Sequence, residues 1–182
     1  MRNSFLLFLL TTLIISCMNP VPRKPVTRKT TSYLKESVNF NKTLIANEEE
    51  ELKSFIKQDS LTAYQRSASG FWYAYELENK ANNYLPKFGD ELEYVYEVYA
   101  MDNSIIYSAE EIGKQGYKVD QQEIVEGLRN GLKLMKENEI VTFLFPSHKM
   151  YGYLGDRNKI GINEPLKVKV QLIKTIKKNE SN

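Results

Sequence analysis

From Gly70 onward, apolar residues recur at every second position, which is the period of an extended strand with one buried face. This period predicts two strands, the first lined on one side by Phe71, Tyr73, Tyr75 and Leu77, and the second by Leu92, Tyr94, Tyr96 and Val98. Turn-forming residues separate the two strands, namely Asn82, Asn83, Pro86 and Gly89. The pattern therefore indicates a domain in which a β-sheet buries one face.

Two more strands and one helix complete the predicted domain. Residues 140–145 form a short apolar run that ends at Pro146, as expected of a central strand, and the last strand alternates from Leu166 to Leu172. The helix precedes them, and its apolar residues share one face because they recur at intervals of three and four: Val125, Leu128, Leu132 and Met135. Antiparallel strands with one intervening helix favour an α+β domain.

The start of the chain is typical of a bacterial lipoprotein signal. Arg2 precedes an apolar run from Phe5 to Ile15, which is shorter than the roughly 20 residues of a membrane-spanning helix and suits a signal-peptide core. Cys17 follows Ser16 at the position where lipid is attached, and as the sole cysteine it cannot form an internal disulfide. We therefore expect residues 1–16 to be a lipoprotein signal peptide and Cys17 to be lipidated. The alternative is a short buried apolar segment.

Between this signal and the sheet, the sequence predicts a tether and then a helix. Residues 17–40 contain three prolines among Thr, Arg and Lys and lack an apolar period, so we expect a lipidated, extended tether. Residues 41–66 are predicted as an N-terminal helical segment from the spacing of their apolar residues: Leu44, Ile45, Leu52, Ile56 and Leu61. The acidic run from Glu48 to Glu51 is interpreted as the solvated face of this helix.

The charge pattern argues against nucleic-acid binding. The net charge is only +2, and acidic and basic residues are interspersed rather than gathered in a basic stripe. The chain also lacks a Gly-rich phosphate loop and a cluster of metal ligands, so we expect no cofactor and no metal. His148 is the sole histidine and is interpreted as a surface residue.

A more specific motif covers the predicted helix and the residues that follow it. Val125-Glu126-Gly127-Leu128 is followed by Gly131-Leu132 and Met135, and then by Pro146 and Tyr151-Gly152. This combination resembles the FKBP-type peptidyl-prolyl isomerases, in which Val-Ile-x-Gly-Trp-x-x-Gly-Leu-x-x-Met is followed by a strand, a proline and Ala-Tyr-Gly. The resemblance implies a curved antiparallel β-sheet wrapped around one short α-helix, in a domain over residues 67–177 that the N-terminal helix precedes.

The start of that short helix is marked in two ways. Asp120 and Glu123 have the spacing of a capping box, which would begin the helix earlier than the family does. We prefer the boundary that the resemblance implies. In either case Val125 lies in or before the first turn, where backbone N–H groups lack an intrahelical acceptor. Its N–H is then free to meet a substrate carbonyl.

The reaction that the resemblance implies is rotation about the bond before proline, whose barrier is about 18–20 kcal/mol. This rotation needs no nucleophile and no metal. A dry pocket favours the twisted amide because it withholds the water that stabilises the planar, more polar form. A few fixed hydrogen-bond donors orient the chain.

The family pattern implies which residues form this site. The catalytic residues are Tyr96, whose ring walls the pocket, Val125 at its rim, and Tyr151, whose hydroxyl donates to the ligand. The substrate-binding residues are Ile106, Tyr107, Ile124, Leu128, Ile160 and Val168. Four of these depart from the family, because Leu128 replaces a tryptophan, Tyr107 an aspartate, and Ile106 and Val168 each a phenylalanine. Asp156 stands at the usual position of a histidine, and we expect it to alter rim contacts only.

Three hypotheses about function follow. A lipoprotein signal with this domain resembles the gliding-motility-associated FKBP-type lipoproteins of gliding bacteria, which implies a lipid-anchored folding catalyst for proline-containing envelope proteins. Met18 and Asn19, which follow Cys17, do not form the acidic run that marks export to the cell surface in such bacteria. We therefore expect the domain to lie on the periplasmic side of the outer membrane. The N-terminal helix is short for a dimerising arm, so a monomer is expected. The departures at Leu128 and Tyr107 favour a second hypothesis, a non-catalytic chaperone or protein-binding module, and the third is a structural component of a motility apparatus.

Overall fold

The structure is a computed structural model in which residues 31–178 are described, with side chains from residue 34 onward. The predicted signal peptide, Cys17 and the first part of the predicted tether lie outside the described residues. The chain divides into two units, residues 1–38 and 39–182, and the packing described below lies within the second. No helix in the described range is both long enough and apolar enough to cross a membrane.

The first helix is longer than the sequence pattern predicted. Helix α1 spans Thr31–Gln58, so residues 31–40 are helical and not part of an extended tether. The reason is that no proline or glycine interrupts residues 26–69, and polar residues such as lysine and glutamate support a helix without an apolar period. The helix also ends earlier than residue 66, because Asp59 accepts hydrogen bonds from the hydroxyls of Thr62 and Tyr64 at 3.0 and 3.3 Å and so stabilises a turn. Leu61 lies beyond the helix and is exposed.

Seven antiparallel strands form one open sheet in the part of the chain that the structure describes. They are β1 (Gln65–Arg66), β2 (Trp72–Leu77), β3 (Glu91–Tyr99), β4 (Ile105–Tyr107), β5 (Gln115–Lys118), β6 (Ile140–Phe145) and β7 (Leu166–Ile176). Their order is β1-β2-β6-β7-β3-β4, and β5 pairs with the first half of β3. The predicted antiparallel α+β fold is confirmed, and the run at residues 140–145 is an interior strand as expected.

In residues 31–178, two short α-helices lie between the strands, and two turns of 3-10 helix follow β6, at Ser147–Lys149 and Gly152–Leu154. Helix α2 (Ala109–Ile112) was not predicted, and the Ser108 side chain caps it by accepting a hydrogen bond from the Glu111 N–H. Helix α3 (Glu126–Leu132) begins after Val125, which confirms the later of the two predicted starts. The capping box does not form, because Asp120 adopts a φ of 55° and instead accepts a hydrogen bond from the Lys133 ammonium group at 2.5 Å.

Helices pack on both faces of the sheet, although the second face is only partly covered. On one face, α3 packs with its buried Leu128 and Leu132 against the aromatic residues of β6. On the other face, Leu52 of α1 packs with Trp72 and Leu144 in a smaller cluster. The opposite face of the sheet therefore depends on α1 for its cover.

The acidic run of α1 is not entirely solvated, which corrects the expectation for Glu48. This side chain is only 4% exposed, because it lies one helical turn before Leu52 and so faces the domain. Its carboxylate accepts hydrogen bonds from the Ser147 N–H at 2.8 Å and from the Ser147 hydroxyl at 2.6 Å. Glu48 therefore fastens α1 to the turn that follows β6.

Replacing Gly127 with alanine is expected to lower the free energy of unfolding by up to about 2 kcal/mol. A Cβ atom there would lie 2.9 Å from Met150 Sδ and from two ring carbons of Phe145. Overpacking costs about 1–3 kcal/mol, and the roughly 1 kcal/mol that alanine adds to helix stability offsets part of this cost. Urea unfolding measures the difference. Gly116→Ala is the control because a Cβ at Gly116 meets nothing within 4 Å, and an equal loss in both variants would contradict the packing argument.

Candidate functional site

The structure brings all nine predicted site residues into one apolar cluster. Three of them are buried, namely Leu128, Ile160 and Val168. The other six are partly buried and pack against the same core: Tyr96, Ile106, Tyr107, Ile124, Val125 and Tyr151. Strands β3, β4 and β7, helix α3 and two loops contribute to this cluster, which is the main core of the domain. Within it, Tyr96, Tyr107 and Asp156 lie near enough to Tyr151 to influence its phenol group electrostatically.

Val125 supplies an available backbone donor at the start of α3. It is the N-cap residue, with φ −55° and ψ 133°, and its carbonyl accepts the Arg129 N–H at 3.0 Å. Among the described residues, no acceptor lies within hydrogen-bond distance of the Val125 N–H. This group can therefore donate to a substrate carbonyl that enters the cluster.

Tyr96 and Tyr151, which pack against the same core as Val125, supply two phenol groups. Burial raises the pKa of Tyr151 to about 12, and the nearby Tyr96 and Asp156 add to the rise. Burial, with a smaller contribution from Tyr107, also raises the pKa of Tyr96, whose ring stacks on Tyr94 with centroids 5.8 Å apart. Both phenols therefore remain protonated at neutral pH. Neither hydroxyl has a hydrogen-bond partner within residues 31–178, so each can donate to a ligand.

Tyr107 makes a contact that the sequence did not predict. Its hydroxyl donates a short hydrogen bond to Asp156, and the Asn158 side-chain amide donates to the same hydroxyl oxygen at 3.0 Å. Asp156 also accepts the N–H groups of Asn158 and Ile160, each at 2.8 Å. Asp156 thus does more than alter rim contacts, because it holds the loop that positions Ile160.

A lysine fastens the same loop to the other wall of the cluster. Lys159 forms an ion pair with Glu111 of α2 at 2.6 Å, and its ammonium group lies 4.7 Å from the centre of the Tyr107 ring. It also donates to the Ile106 carbonyl at 3.3 Å. Tyr107, which stands where the family has an aspartate, is thus bonded to Asp156 and covered by Lys159.

The pKa shifts of Asp156 and Tyr107 define the pH range in which their hydrogen bond stabilises the loop. Although burial opposes it, the hydrogen bonds from Tyr107, Ile160 and Asn158 hold the pKa of Asp156 below its usual range. The hydrogen bond to Asp156 in turn raises the pKa of Tyr107 above that of a free tyrosine. The contribution of Asp156 to the stability of the fold is present above about pH 4 and is lost as the pH falls through its lowered pKa. The contribution of Tyr107 to that stability is present below about pH 10 and is lost as the pH rises through its raised pKa.

Replacing Asp156 with alanine is expected to remove the protection of the Asn158 and Ile160 amides, because each loses its acceptor. Hydrogen exchange of the 156–160 segment at neutral pH measures this, and exchange should become several-fold faster. Asp102→Ala is the matched control, since Asp102 accepts the Ser104 N–H in a turn elsewhere in the chain. If Asp156→Ala left exchange of the 156–160 segment unchanged, Asp156 would not be the group that holds the loop.

Two functional contacts were missed by sequence reasoning. Asp156 and Asn158 have the spacing of an Asx turn, and that signal indicates a carboxylate bonded to its own loop. Glu48 lies on the same face of α1 as the buried Leu52, which indicates that it is buried too. The acidic residues around it concealed this signal. His148 is exposed, as predicted. Among the described residues, no group of three or more His, Cys, Asp or Glu side chains is arranged to hold a metal ion.

Comparisons with known proteins agree with this architecture. The profile of the FKBP-type peptidyl-prolyl cis-trans isomerase family matches residues 83–173, which is half of the chain. No curated protein sequence gives a significant match.

Two solved structures share the fold. A peptidyl-prolyl cis-trans isomerase from Pseudomonas syringae pv. tomato is 18% identical with a TM-score of 0.57, and the match covers 75% of this chain and 96% of that one. FkpA from Escherichia coli is 16% identical with a TM-score of 0.59, covering 97% of this chain and 82% of that one.

Proposed function

Because the chain belongs to the FKBP-type peptidyl-prolyl cis-trans isomerase family, we propose that the cluster around Tyr96, Val125 and Tyr151 is its active site. As an isomerase of this class, the protein acts on proline-containing polypeptides. The observation that carries the assignment of the site is the convergence of a free backbone N–H and two unpaired, protonated phenols on one apolar cluster.

Each group has a defined task in the proposed reaction. The proline ring packs against Tyr96 and the apolar side chains of Leu128 and Val168. The Val125 N–H and the Tyr151 hydroxyl donate to substrate carbonyls and fix the chain on either side of the rotating bond. Because the surroundings are apolar, the planar amide loses more hydration than the less polar twisted form, and the barrier falls. Each 1.36 kcal/mol of selective stabilisation accelerates the rotation about tenfold.

The test of this function is isomerisation of a Xaa-Pro tetrapeptide by the purified full chain. We expect the isomerisation rate to rise in proportion to the protein concentration, well above the uncatalysed rate, and this acceleration should be largely lost in the Val125→Asp variant discussed below. A well-folded chain that gives no acceleration would contradict the catalytic proposal. It would favour the second candidate, a non-catalytic chaperone or protein-binding module, for which the smaller Leu128 in place of tryptophan is the supporting observation.

We further propose that the enzyme is lipid-anchored through Cys17 on the periplasmic side of the outer membrane. There it would catalyse the folding of envelope proteins. The expectation of a monomer loses its support, because it depended on a short N-terminal helix and α1 spans 28 residues. The support for the lipid anchor is the apolar run from Phe5 to Ile15 that ends at Ser16-Cys17. A role in gliding motility rests on the combination of this signal with the isomerase domain. Loss of gliding after deletion of the gene, restored by the wild-type chain, would support that role, and unchanged gliding would contradict it.

Replacing Cys17 with serine is expected to abolish incorporation of radiolabelled palmitate and to move the protein from the membrane fraction to the soluble fraction. The reason is that the thiol is the only group at which a thioether to lipid can form. Ser16→Ala is the control, because alanine is also small and leaves the cysteine in place. Continued palmitate labelling of the serine variant would show that Cys17 is not the lipid site.

A further inference from the structure

A groove of about 390 Å³ lies beside the proposed active site, between α1 and the two turns that follow β6. Its walls are partly apolar and accessible to solvent: Ile45 of α1 is 39% exposed and Leu154, opposite, is 50% exposed. Tyr151 lines this groove and also packs in the active-site cluster. The groove therefore begins at a residue that we assign to the reaction.

The groove is preformed because α1 is fixed beside it. The bonds from Ser147 to Glu48 hold the middle of the helix, and Leu52 one turn later is fully buried against the sheet. Binding then requires little ordering of the wall, which favours affinity. The volume also lies within the roughly 300–1,000 Å³ of typical ligand sites.

The chemistry of the walls suits an extended polypeptide. The apolar side chains can take apolar residues of a chain. The side chains of Asn41, His148 and Asn163 line the same groove and have no hydrogen-bond partner among residues 39–178. Amide and imidazole groups in this state can pair with the N–H and C=O groups of a peptide backbone. A dry, purely apolar surface would lack such partners.

We propose that this groove binds the apolar segment that flanks proline in an unfolded polypeptide substrate, so that α1 and the isomerase site hold one chain together. The inference deepens the proposed function and rests on it, since Tyr151 is the point where the two sites meet. A tetrapeptide is too short to fill both sites, whereas an unfolded protein can. The groove thus selects long, apolar substrates over short peptides.

The test uses the full chain and a double variant, Ile45→Glu with Leu154→Glu, which places two charges in the groove. Both side chains are already exposed, so the fold should tolerate the change. Leu61→Glu is the matched control, because Leu61 is 98% exposed and does not line the groove. The first readout is the affinity for a fluorescently labelled, reduced and carboxymethylated protein. The second is the ratio of kcat/KM for proline-limited refolding of that protein to kcat/KM for a Xaa-Pro tetrapeptide.

We expect the double variant to bind the unfolded protein at least tenfold more weakly and to lower the kcat/KM ratio at least tenfold, with no change in the control. Unchanged binding and an unchanged ratio would overturn the groove proposal. A change in molecular mass by sedimentation, without a loss of unfolded-protein binding, would also overturn it and indicate self-association at this face. Failure of the wild-type chain to accelerate the tetrapeptide is a separate result that bears on the isomerase assignment, and the binding readout still decides the groove.

Discussion

Replacing Val125 with aspartate is expected to lower kcat/KM for a Xaa-Pro tetrapeptide by at least about 100-fold. The side chain lies in the apolar cluster at the start of α3, beside the proposed backbone donor. A carboxylate there repels the substrate carbonyl that the N–H should bind, and it brings in the water that the pocket must exclude. Several kcal/mol are lost when a charge is desolvated without a partner, and about 2.7 kcal/mol corresponds to 100-fold.

Two companion variants make this result specific. Val125→Ile keeps an apolar side chain and the backbone donor, so its kcat/KM should stay within a few-fold of the wild-type value. Tyr151→Phe removes one neutral hydroxyl, worth about 0.5–1.5 kcal/mol, so we expect a loss of up to about tenfold. Circular dichroism and thermal melting show whether each variant is folded. Full activity in a folded Val125→Asp variant would place the active site elsewhere.

The sequence predicts those parts of the fold in which apolar residues recur with a regular period. Alternation of apolar residues identified the long strands, because a strand with one buried face must repeat every two residues. The three-and-four spacing of Leu128 and Leu132 identified α3 for the same reason. The short strands β1, β4 and β5 and helix α2 escaped prediction, since two to four residues are too few to show any period.

The sequence did not predict the start of α1 or the contacts of the loop at Asp156, and the reason is different. Helix formation in residues 31–40 depends on the absence of breakers, which a search for apolar periods does not detect. The bond between Tyr107 and Asp156 joins residues 49 positions apart, and both residues depart from the family pattern. Position-by-position comparison with a family can register each departure, but it cannot show that the two departing residues contact each other.

The largest expected effect on stability concerns Glu48. Replacing it with alanine should lower the free energy of unfolding by about 3 kcal/mol, because the Ser147 N–H and hydroxyl would lose a charged acceptor, and each such bond contributes about 1.5–3 kcal/mol. Among the described residues no cation pairs with this carboxylate, so the two Ser147 donors offset the cost of burying its charge. Urea unfolding of the full chain measures the loss, and Glu50→Ala, on an exposed position of the same helix, should change stability by less than about 0.5 kcal/mol.

A double-mutant cycle with Ser147→Ala isolates this contact. Once the Ser147 hydroxyl is gone, removing Glu48 leaves only one donor without an acceptor. The loss of stability in the double variant should therefore be smaller than the sum of the two single losses by about 1 kcal/mol or more. Additive losses would show that Glu48 acts through general helix stability. The same cycle bears on the groove, because Glu48 fixes the helix that forms one of its walls. Glu48→Ala should therefore weaken binding of an unfolded protein even at urea concentrations where the chain remains folded.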